Sequence, residues 1–178
     1  MSDPAIPSSI ASSLDTIRKA QSNLLRSNDR LDNAVANSAK HGLPRIAVSP
    51  SQGQMMSILC QLIGAKYVLE IGTLGAYSTI WFAESLPAIK VTSIEFNPKH
   101  RDISLENTKG LDNVEIILGA ALEVLPKLAE EGRLFDFVFI DADWNEQTEY
   151  FDWAVKMTRK GGCVFVGKYS DRQKRNTI

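Results

Sequence analysis

The sequence contains few of the residues that build metal clusters and disulfide frameworks. Its 178 residues include only two cysteines and two histidines. Cys60 and Cys163 lie in apolar stretches far apart in the chain, which predicts buried, reduced thiols rather than a disulfide or a metal pair. His41 stands beside a glycine and His100 stands in a polar helix, and two isolated histidines do not predict a metal site.

The sequence also lacks an excess of charge of either sign and lacks long apolar runs. A formal net charge of -1 gives no reason to expect nucleic acid or an anionic membrane as a partner. No apolar run approaches the length that spans a bilayer, and residues 1–15 lack the charged and apolar regions of a signal peptide. We therefore expect a cytoplasmic protein. With 44% hydrophobic residues, the chain can form one domain with a real core.

Residues 1–64 are predicted to form a helical lead. Apolar residues recur at helical spacing in two stripes. The first consists of Ile10, Leu14, Ile17, Leu24 and Leu25. The second is weaker, consists of Leu31, Val35 and Ala39, and stops at Gly42 and Pro44. A third helix has Ser49 as its cap, Pro50 at its first position and a stop at Gly64. Its predicted apolar face consists of Met55, Ile58, Leu59 and Leu62.

Residues 65–166 alternate between strand and helix patterns and are predicted to form the core. We expect strands at 67–72, 90–96, 114–119, 135–141 and 162–166. The helices between them are expected to open at Asn97-Pro98 and Asn145 and to close at Gly110, Gly132 and Gly161. Strands joined by helical crossovers predict an α/β fold, a doubly wound, Rossmann-like parallel sheet with helices on both faces.

Three acids, Glu70, Glu95 and Asp141, fall at or near the carboxyl ends of predicted strands, where such sheets bind ligands. Glu70 would repel phosphate, and no third glycine follows Gly72 and Gly75 before residue 110, so the pattern for a dinucleotide is weak. A ligand with a ribose, an adenine and a positive centre fits better. Glu95 can then accept from both ribose hydroxyls, and Glu70 can hold the turn or meet an ammonium. S-adenosylmethionine has these groups. The alternative interpretation is that the three acids bind no ligand and only cap a solvated sheet edge.

Five motifs carry a resemblance to a known family, over about residues 43 to 166: "VSPSQGQ", "VLEIGTLGAYST", "SIEFNP", "GAALEVLPKL" and "FDFVFIDAD". In this order and spacing they resemble the small, metal-dependent class I O-methyltransferases of the catechol and caffeoyl-CoA type, with residues 141–166 closest to fungal members. The resemblance implies S-adenosylmethionine as cofactor, Mg²⁺ or a similar divalent cation, a hydroxyl of a catechol-like aromatic as acceptor, and a homodimer.

The resemblance also implies roles for individual residues. Val48 and Ser78 would hold the methionine carboxylate, Gly72 and Leu74 would line the cofactor, Glu95 would take the ribose, and Phe96 and Ala121 would flank the adenine. Asp141 matches a catalytic acid that binds the metal and lies close to the cofactor's amino end. The glycine turn departs from the family at Ala76, and the alanine is expected to cost little if its backbone stays in a common region.

Larger departures fall on the metal site. The family has an Asp-Asn pair where this chain has Gly167 and Lys168, so two of three protein ligands are missing and the predicted site is incomplete. A lysine three residues past the metal acid is replaced by Trp144. The chain then ends in a polar tail, residues 167–178, and the family's last two strands are absent, which we interpret as a truncation.

Two functions of different class follow. The first is an O-methyltransferase of the catechol and caffeoyl-CoA type, impaired by its missing metal ligands. The second is a cofactor-binding, catalytically inactive or interaction form. A nucleic-acid methyltransferase is a distant third, because the chain has neither a basic face nor an Asn/Asp-Pro-Pro-aromatic motif for a flipped base.

Overall fold

The computed structural model describes residues 16, 19, 24, 25 and 27–167. Three apolar residues of the first predicted stripe, Ile10, Leu14 and Ile17, lie outside the described residues, as do Lys168 and the rest of the polar tail. None of the helices within the described ranges has the length and the hydropathy needed to cross a membrane.

Within residues 27–167, two helices precede the first strand. Helix α1 spans Asp29–Lys40 and begins where the side chain of Asn28 accepts from the amides of Arg30 and Leu31. Helix α2 spans Pro50–Leu62, and its predicted start is confirmed because Ser49 and Gln52 form a reciprocal capping box. The predicted stop is also confirmed, since Gly64 follows with a left-handed φ of 61°.

The apolar face predicted for α2 was wrong at three of its four residues, whereas Leu59 is partly buried and packs against the core. Met55, Ile58 and Leu62 are exposed, and the face that packs inward consists of small and medium residues: Gly53, Met56, Ser57 and Cys60. A Cβ on Gly53 would lie 2.3 Å from the Trp81 ring, so the helix approaches its neighbour too closely for larger side chains. In α1, likewise, Leu31 and Ala34 are buried whereas Val35 is exposed.

From residue 67 the chain alternates between strands and helices, as predicted. The remaining elements are β1 Tyr67–Ile71, α3 Tyr77–Ala83, β2 Lys90–Glu95, α4 Pro98–Asn107, β3 Val114–Leu118, α5 Ala121–Glu130, β4 Phe135–Ile140, a 3-10 turn Trp144–Glu146, α6 Gln147–Met157 and β5 Thr158–Val166. The five strands form one parallel sheet in the order β3-β2-β1-β4-β5. This confirms the predicted Rossmann-like α/β fold.

Strand β5 begins earlier than predicted. The preceding helix ends at Met157, and Gly161 lies inside the strand with a φ of 84° rather than closing the helix. The pairing of β4 with β5 shifts in register between Phe135 and Phe137, where the extra residues of β5 are accommodated.

Hydrophobic residues cover both faces of the sheet. On one face, Leu69 and Val138 pack with Leu125 of α5 and Ala154 of α6. On the other face, Phe137 and Phe139 pack with Met56 of α2 and Phe82 of α3. Successive strand residues therefore point into different cores, as a sheet covered on both sides requires. Cys60 is buried in the second core with Cys163 partly buried beside it, and both thiols are free, as predicted.

The topology creates a cleft at the carboxyl ends of the central strands. Strand β1 lies between β2 and β4, and the chain leaves β1 and β4 towards opposite faces of the sheet. The ladder continues one residue past each strand, because Gly72 donates to the Ile94 carbonyl and Asp141 donates to the Ile71 carbonyl, both at 2.9 Å. The loops after β1, β2 and β4 therefore start side by side.

Candidate functional site

A cavity of about 780 Å³ lies at the carboxyl ends of β1, β2 and β4, under the segment that joins α1 to α2. We call it the site cavity. It is lined by eight of the nine residues that the sequence predicted for the site: Val48, Gly72, Leu74, Ser78, Glu95, Phe96, Ala121 and Asp141. Residues from six loops or helix starts thus meet in one concave space. The structure brings the predicted residues together, while their individual roles stay predictions.

The backbone of the glycine turn after β1 is packed so closely against neighbouring segments that this packing explains its conformation. Gly72 has a φ of 96°, and a Cβ there would lie 2.4 Å from the Asp141 carbonyl oxygen, so no larger residue fits between β1 and β4. A Cβ on Gly75 would lie 2.1 Å from Ser38 Oγ of α1. The turn is fixed on this side because Asn107 donates to the Gly75 carbonyl at 2.9 Å.

Two non-glycine residues of this turn adopt left-handed backbone. Leu74 has a φ of 52° and Ala76 has a φ of 62°. The condition under which the alanine at 76 was expected to cost little, a backbone in a common region, is therefore not met, and L-residues adopt its conformation at a cost of roughly 1–2 kcal/mol. The turn has to curve this tightly because helix α3 starts at Tyr77, directly above the cavity.

The carboxylate of Glu95 contacts the backbone of the glycine turn and also lines the site cavity. Its Oε2 accepts from the amides of Thr73 at 3.2 Å and Leu74 at 2.7 Å, and its Oε1 accepts from the Asn97 amide at 2.8 Å. The carboxylate lines the cavity although the residue is only 7% exposed. Its oxygens offer about four acceptor sites, so three backbone amides leave room for about one further donor. If both ribose hydroxyls donate to Glu95 as predicted, they must therefore compete with these backbone amides for its acceptor sites.

Glu70 lies beneath the turn and not among the residues that line the cavity. The residue is fully buried, and its Oε2 accepts from Thr79 Oγ1 at 2.5 Å and Ser93 Oγ at 2.6 Å. Its Oε1 has no hydrogen-bond partner among the described residues. Burial raises the pKa of Glu70 to about 7, although neighbouring hydroxyls oppose this rise. Of its two predicted roles, these contacts fit the holding of the turn, because they tie β1 to β2 and to α3.

Asp141 lies at the mouth of the site cavity. Its side chain is accessible to solvent, but the concave surroundings desolvate the carboxylate and raise its pKa to about 6. Gly167, which donates to the Ile140 carbonyl at 2.7 Å, lies directly against it. A Cβ on Gly167 would be 2.4 Å from Asp141 Oδ1. The residue that replaces the family's second ligand is therefore next to the first.

The described residues do not fit a divalent metal site. Within the described ranges, no group of three or more His, Cys, Asp or Glu side chains converges on a point that could hold an ion. Gly167, which lies against Asp141, has no side chain to offer as a ligand, and Trp144 is not among the described residues that line the cavity. A hard cation such as Mg²⁺ needs several oxygen ligands in octahedral arrangement, so we derive no chemical step through a metal.

Several residues at the cavity were missed by the sequence analysis. His100, which the sequence analysis took to stand alone, lines the cavity with Nδ1 3.6 Å from Glu95 Oε1. The Tyr150 hydroxyl donates to the Glu146 carboxylate, and both residues line the opposite wall. Arg45 lies in the segment between α1 and α2. The four-residue spacing of Glu146 and Tyr150 is a signal for one helix face, whereas nothing in the sequence pointed to His100 or Arg45.

The charges of the cavity favour a cationic or neutral ligand over a phosphate. Among the described residues that line it, four carry carboxylates, Glu95, Asp141, Asp143 and Glu146, whereas Arg45 carries a guanidinium and His100 an imidazole. Burial raises the pKa of the Tyr150 hydroxyl, so this group stays protonated and can only donate or accept hydrogen bonds. A sulfonium or an ammonium would be stabilised here by the carboxylates.

Comparisons with known proteins agree on one family. The sequence profile of the O-methyltransferase family matches residues 21–168. The chain is 45% identical over 141 residues to a catechol O-methyltransferase of Niastella koreensis, which covers 76% of this chain and 64% of the relative. It is 42% identical over 149 residues to a catechol O-methyltransferase of Mycobacterium tuberculosis, covering 82% and 67%.

A solved structure gives the same result for the fold. An O-methyltransferase from Bacillus cereus, in complex with SAH, superposes with a TM-score of 0.80 at 38% identity, over 84% of this chain and 70% of that one. The chain spans about two thirds of the length of the curated relatives named above.

Proposed function

The chain belongs to the O-methyltransferase family, and from this premise we propose that it binds S-adenosylmethionine in the site cavity and transfers the methyl group to a hydroxyl of a small, catechol-like aromatic. The observation that carries the proposal is the position of Glu95. Its carboxylate lies at the end of β2, faces the cavity, and is held there by three backbone amides. A carboxylate so placed is suited to a ribose rather than to a phosphate.

The rest of the cavity can accommodate the other parts of this cofactor. Ser78, at the first turn of α3, and Val48 line the cavity at the end where we place the methionine group. Phe96 is 76% exposed in the absence of a ligand, and with Ala121 it provides the apolar surfaces between which we place the adenine. An exposed aromatic ring beside a cavity is a surface that a planar base would cover.

The proposed reaction is a direct displacement at the sulfonium methyl. The acceptor oxygen forms a bond to the methyl carbon as the bond from sulfur to that carbon breaks, and the electron pair of that bond stays on sulfur. The products are the methyl ether, S-adenosylhomocysteine and the proton of the hydroxyl, which leaves to water at the open mouth of the cavity. The protein's contribution to the step is to hold the two reactants in line, and the carboxylates of the cavity favour binding of the cationic cofactor.

One observation favours a second candidate function. Gly167 lies against Asp141 where the resemblance implies a carboxylate ligand, and without a metal an ordinary phenol stays mostly protonated at neutral pH. A form that binds the cofactor but transfers its methyl group slowly is therefore the alternative. The two candidates share the cofactor site and differ only at the acceptor.

We also propose that the protein is a cytoplasmic homodimer. Two exposed apolar features support self-association: the outer face of α2, with Met55, Ile58 and Leu62, and the edge strand β5, whose Val166 is 37% exposed. An unpaired sheet edge and an apolar helix face are both surfaces that a second subunit would cover. Light scattering on the purified chain tests this, and a monomer at micromolar concentration would contradict it.

Isothermal titration with S-adenosylmethionine, followed by transfer of a labelled methyl group to a dihydroxyphenyl acceptor, tests the function. Saturable cofactor binding with methyl transfer supports the enzyme, and binding without transfer supports the second candidate. Absence of cofactor binding would overturn both. Phe96→Ala is a suitable variant, because it should weaken binding about 5- to 100-fold by removing one stacking surface.

A further inference from the structure

The carboxylate of Glu95 is too fully occupied to bind a ribose alone. Oε2 accepts from two amides, those of Thr73 and Leu74, which fill its acceptor sites. Oε1 accepts from the Asn97 amide at 2.8 Å and has about one site left. A ribose offers two vicinal hydroxyls, so the second hydroxyl needs another partner unless the turn gives up one of its own hydrogen bonds.

His100 is a polar side chain that lies close to this remaining site. Its Nδ1 is 3.6 Å from Glu95 Oε1, which is too long for a direct hydrogen bond and leaves both atoms able to contact a ligand. The imidazole lines the site cavity and is 22% exposed. The other residues of the β2–α4 segment that line the cavity, Ile94 and Phe96, are apolar.

The backbone at His100 is fixed by the start of helix α4. Asn97 caps the helix, and its side chain accepts from the amides of Lys99 at 2.9 Å and His100 at 3.4 Å. Pro98 occupies the first helical position, where its ring is pre-organised for a helix. The same capping residue donates its own amide to Glu95 Oε1. One local structure therefore sets the positions of both the carboxylate and the imidazole.

We propose that His100 is a second ribose-binding residue, which shares the two vicinal hydroxyls with Glu95: one hydroxyl donates to Glu95 Oε1 and its neighbour pairs with His100 Nδ1. The inference rests on the proposed cofactor and deepens it. A neutral imidazole nitrogen can either accept from a hydroxyl or donate to it, so the pairing holds for either tautomer. His100 then selects for a nucleoside that carries both hydroxyls.

The test uses S-adenosylhomocysteine and its 2′-deoxy and 3′-deoxy analogues, with affinities measured by isothermal titration. His100→Leu keeps a similar volume but removes both nitrogens, and it should weaken binding of S-adenosylhomocysteine about 3- to 10-fold, the range of one net hydrogen bond. For one of the two deoxy analogues, the wild type and His100→Leu should bind equally, because the hydroxyl that His100 contacts is already missing. His100→Asn, whose amide occupies the place of Nδ1, should keep most of the affinity.

Lys99→Leu is the matched control, since Lys99 lies on the same turn, is exposed and does not line the cavity. It should bind all three ligands as the wild type does. Three results would overturn the inference: undiminished affinity in His100→Leu, an equal loss for all three ligands, or a loss in His100→Asn as large as in His100→Leu. If the wild type itself does not bind S-adenosylhomocysteine, the proposed function fails and this inference fails with it.

Discussion

The backbone of Gly167 lies against the carboxylate of Asp141, so closely that a Cβ at residue 167 would be 2.4 Å from Oδ1. Any side chain at 167 would have to displace that carboxylate or the end of β5. An acidic side chain introduced at 167 would therefore require the Asp141 carboxylate to move.

This contact leads to a prediction for metal binding. We expect Mg²⁺ to bind the wild-type chain no more tightly than about millimolar, because Asp141 is the one predicted metal ligand among the described residues and the ion would keep most of its water. Titration calorimetry with MgCl₂ in the presence of S-adenosylhomocysteine measures this, with Asp141→Asn as the control. Micromolar affinity in the wild type that is lost in Asp141→Asn would show that other groups complete the site.

A second prediction concerns the packing of the glycine turn. Gly72→Ala should lower the free energy of unfolding by about 3 kcal/mol, because its Cβ would meet the Asp141 carbonyl at 2.4 Å and its φ of 96° is strained for alanine. Urea unfolding measures the change.

Gly64→Ala is the control for that substitution. Gly64 has a φ of 61° but nothing within 4 Å of the added Cβ, so only the backbone cost of about 1 kcal/mol applies. Equal losses for the two variants would mean that the contact between β1 and β4 is not rigid.

A third prediction follows from the raised pKa of Glu70, about 7 in the folded protein against 4.5 for an ordinary glutamate. Between these pH values the folded state binds more protons than the unfolded state, so stability falls as pH rises. The fall should amount to about 3 kcal/mol between pH 4.5 and 7, with little further change above. Asp141, with its pKa raised to about 6, adds to the fall in the same direction.

Glu70→Gln separates the two contributions. The variant should lose most of the pH dependence and should gain stability relative to the wild type at pH 8, where the wild type carries a buried charge. Urea unfolding at pH 5 and pH 8 measures both effects, and the exposed Glu130→Gln serves as the control. An unchanged pH dependence in Glu70→Gln would mean that this carboxyl titrates as an exposed group does.

Strands β1 and β4 were predictable because each of them is a short apolar run followed by turn residues, "YVLEI" and "FDFVFI". The start of α2 was predictable because Ser49, Pro50 and Gln52 form a local capping box. In both cases the cause lies within a few residues of the effect, and one sequence is enough to read it.

The features that were missed depend on contacts between distant segments. The inward face of α2 is set by the close approach of Gly53 to Trp81, and hydrophobicity alone selected the opposite face. His100 reaches the site only because the cap at Asn97 turns the chain back towards Glu95. The left-handed φ of Ala76 is imposed by the packing of the turn between α1 and β4. These contacts follow from the packing of the fold, whereas spacing along the chain does not predict them.

A fourth prediction concerns the affinity for the cofactor. Glu95→Ala should weaken binding of S-adenosylmethionine about tenfold or more, because a charge-assisted hydrogen bond is worth ~1.5–3 kcal/mol. The variant also removes the acceptor for three backbone amides, so its thermal stability should be measured alongside. Glu123→Ala, exposed in the first turn of α5 and not among the residues that line the cavity, is the control. Unchanged affinity in Glu95→Ala would remove the ribose assignment.

The last prediction concerns methyl transfer itself, which needs the donor, an ionised acceptor oxygen and their alignment. The cavity can accommodate the proposed methyl donor, but neither Gly167 nor Trp144 offers a metal ligand or a base to the acceptor hydroxyl. Loss of general-base assistance alone typically lowers a rate by a factor of ~10²–10⁴. We therefore expect transfer to a catechol at the limit of detection, and restored, chelator-sensitive transfer when residues from 167 onward are replaced by an ending with the Asp-Asn pair. Transfer of a labelled methyl group to a dihydroxyphenyl acceptor, with and without EDTA, compares the two. An ordinary enzymatic rate in the unaltered chain would show that its own residues ionise the acceptor without that pair.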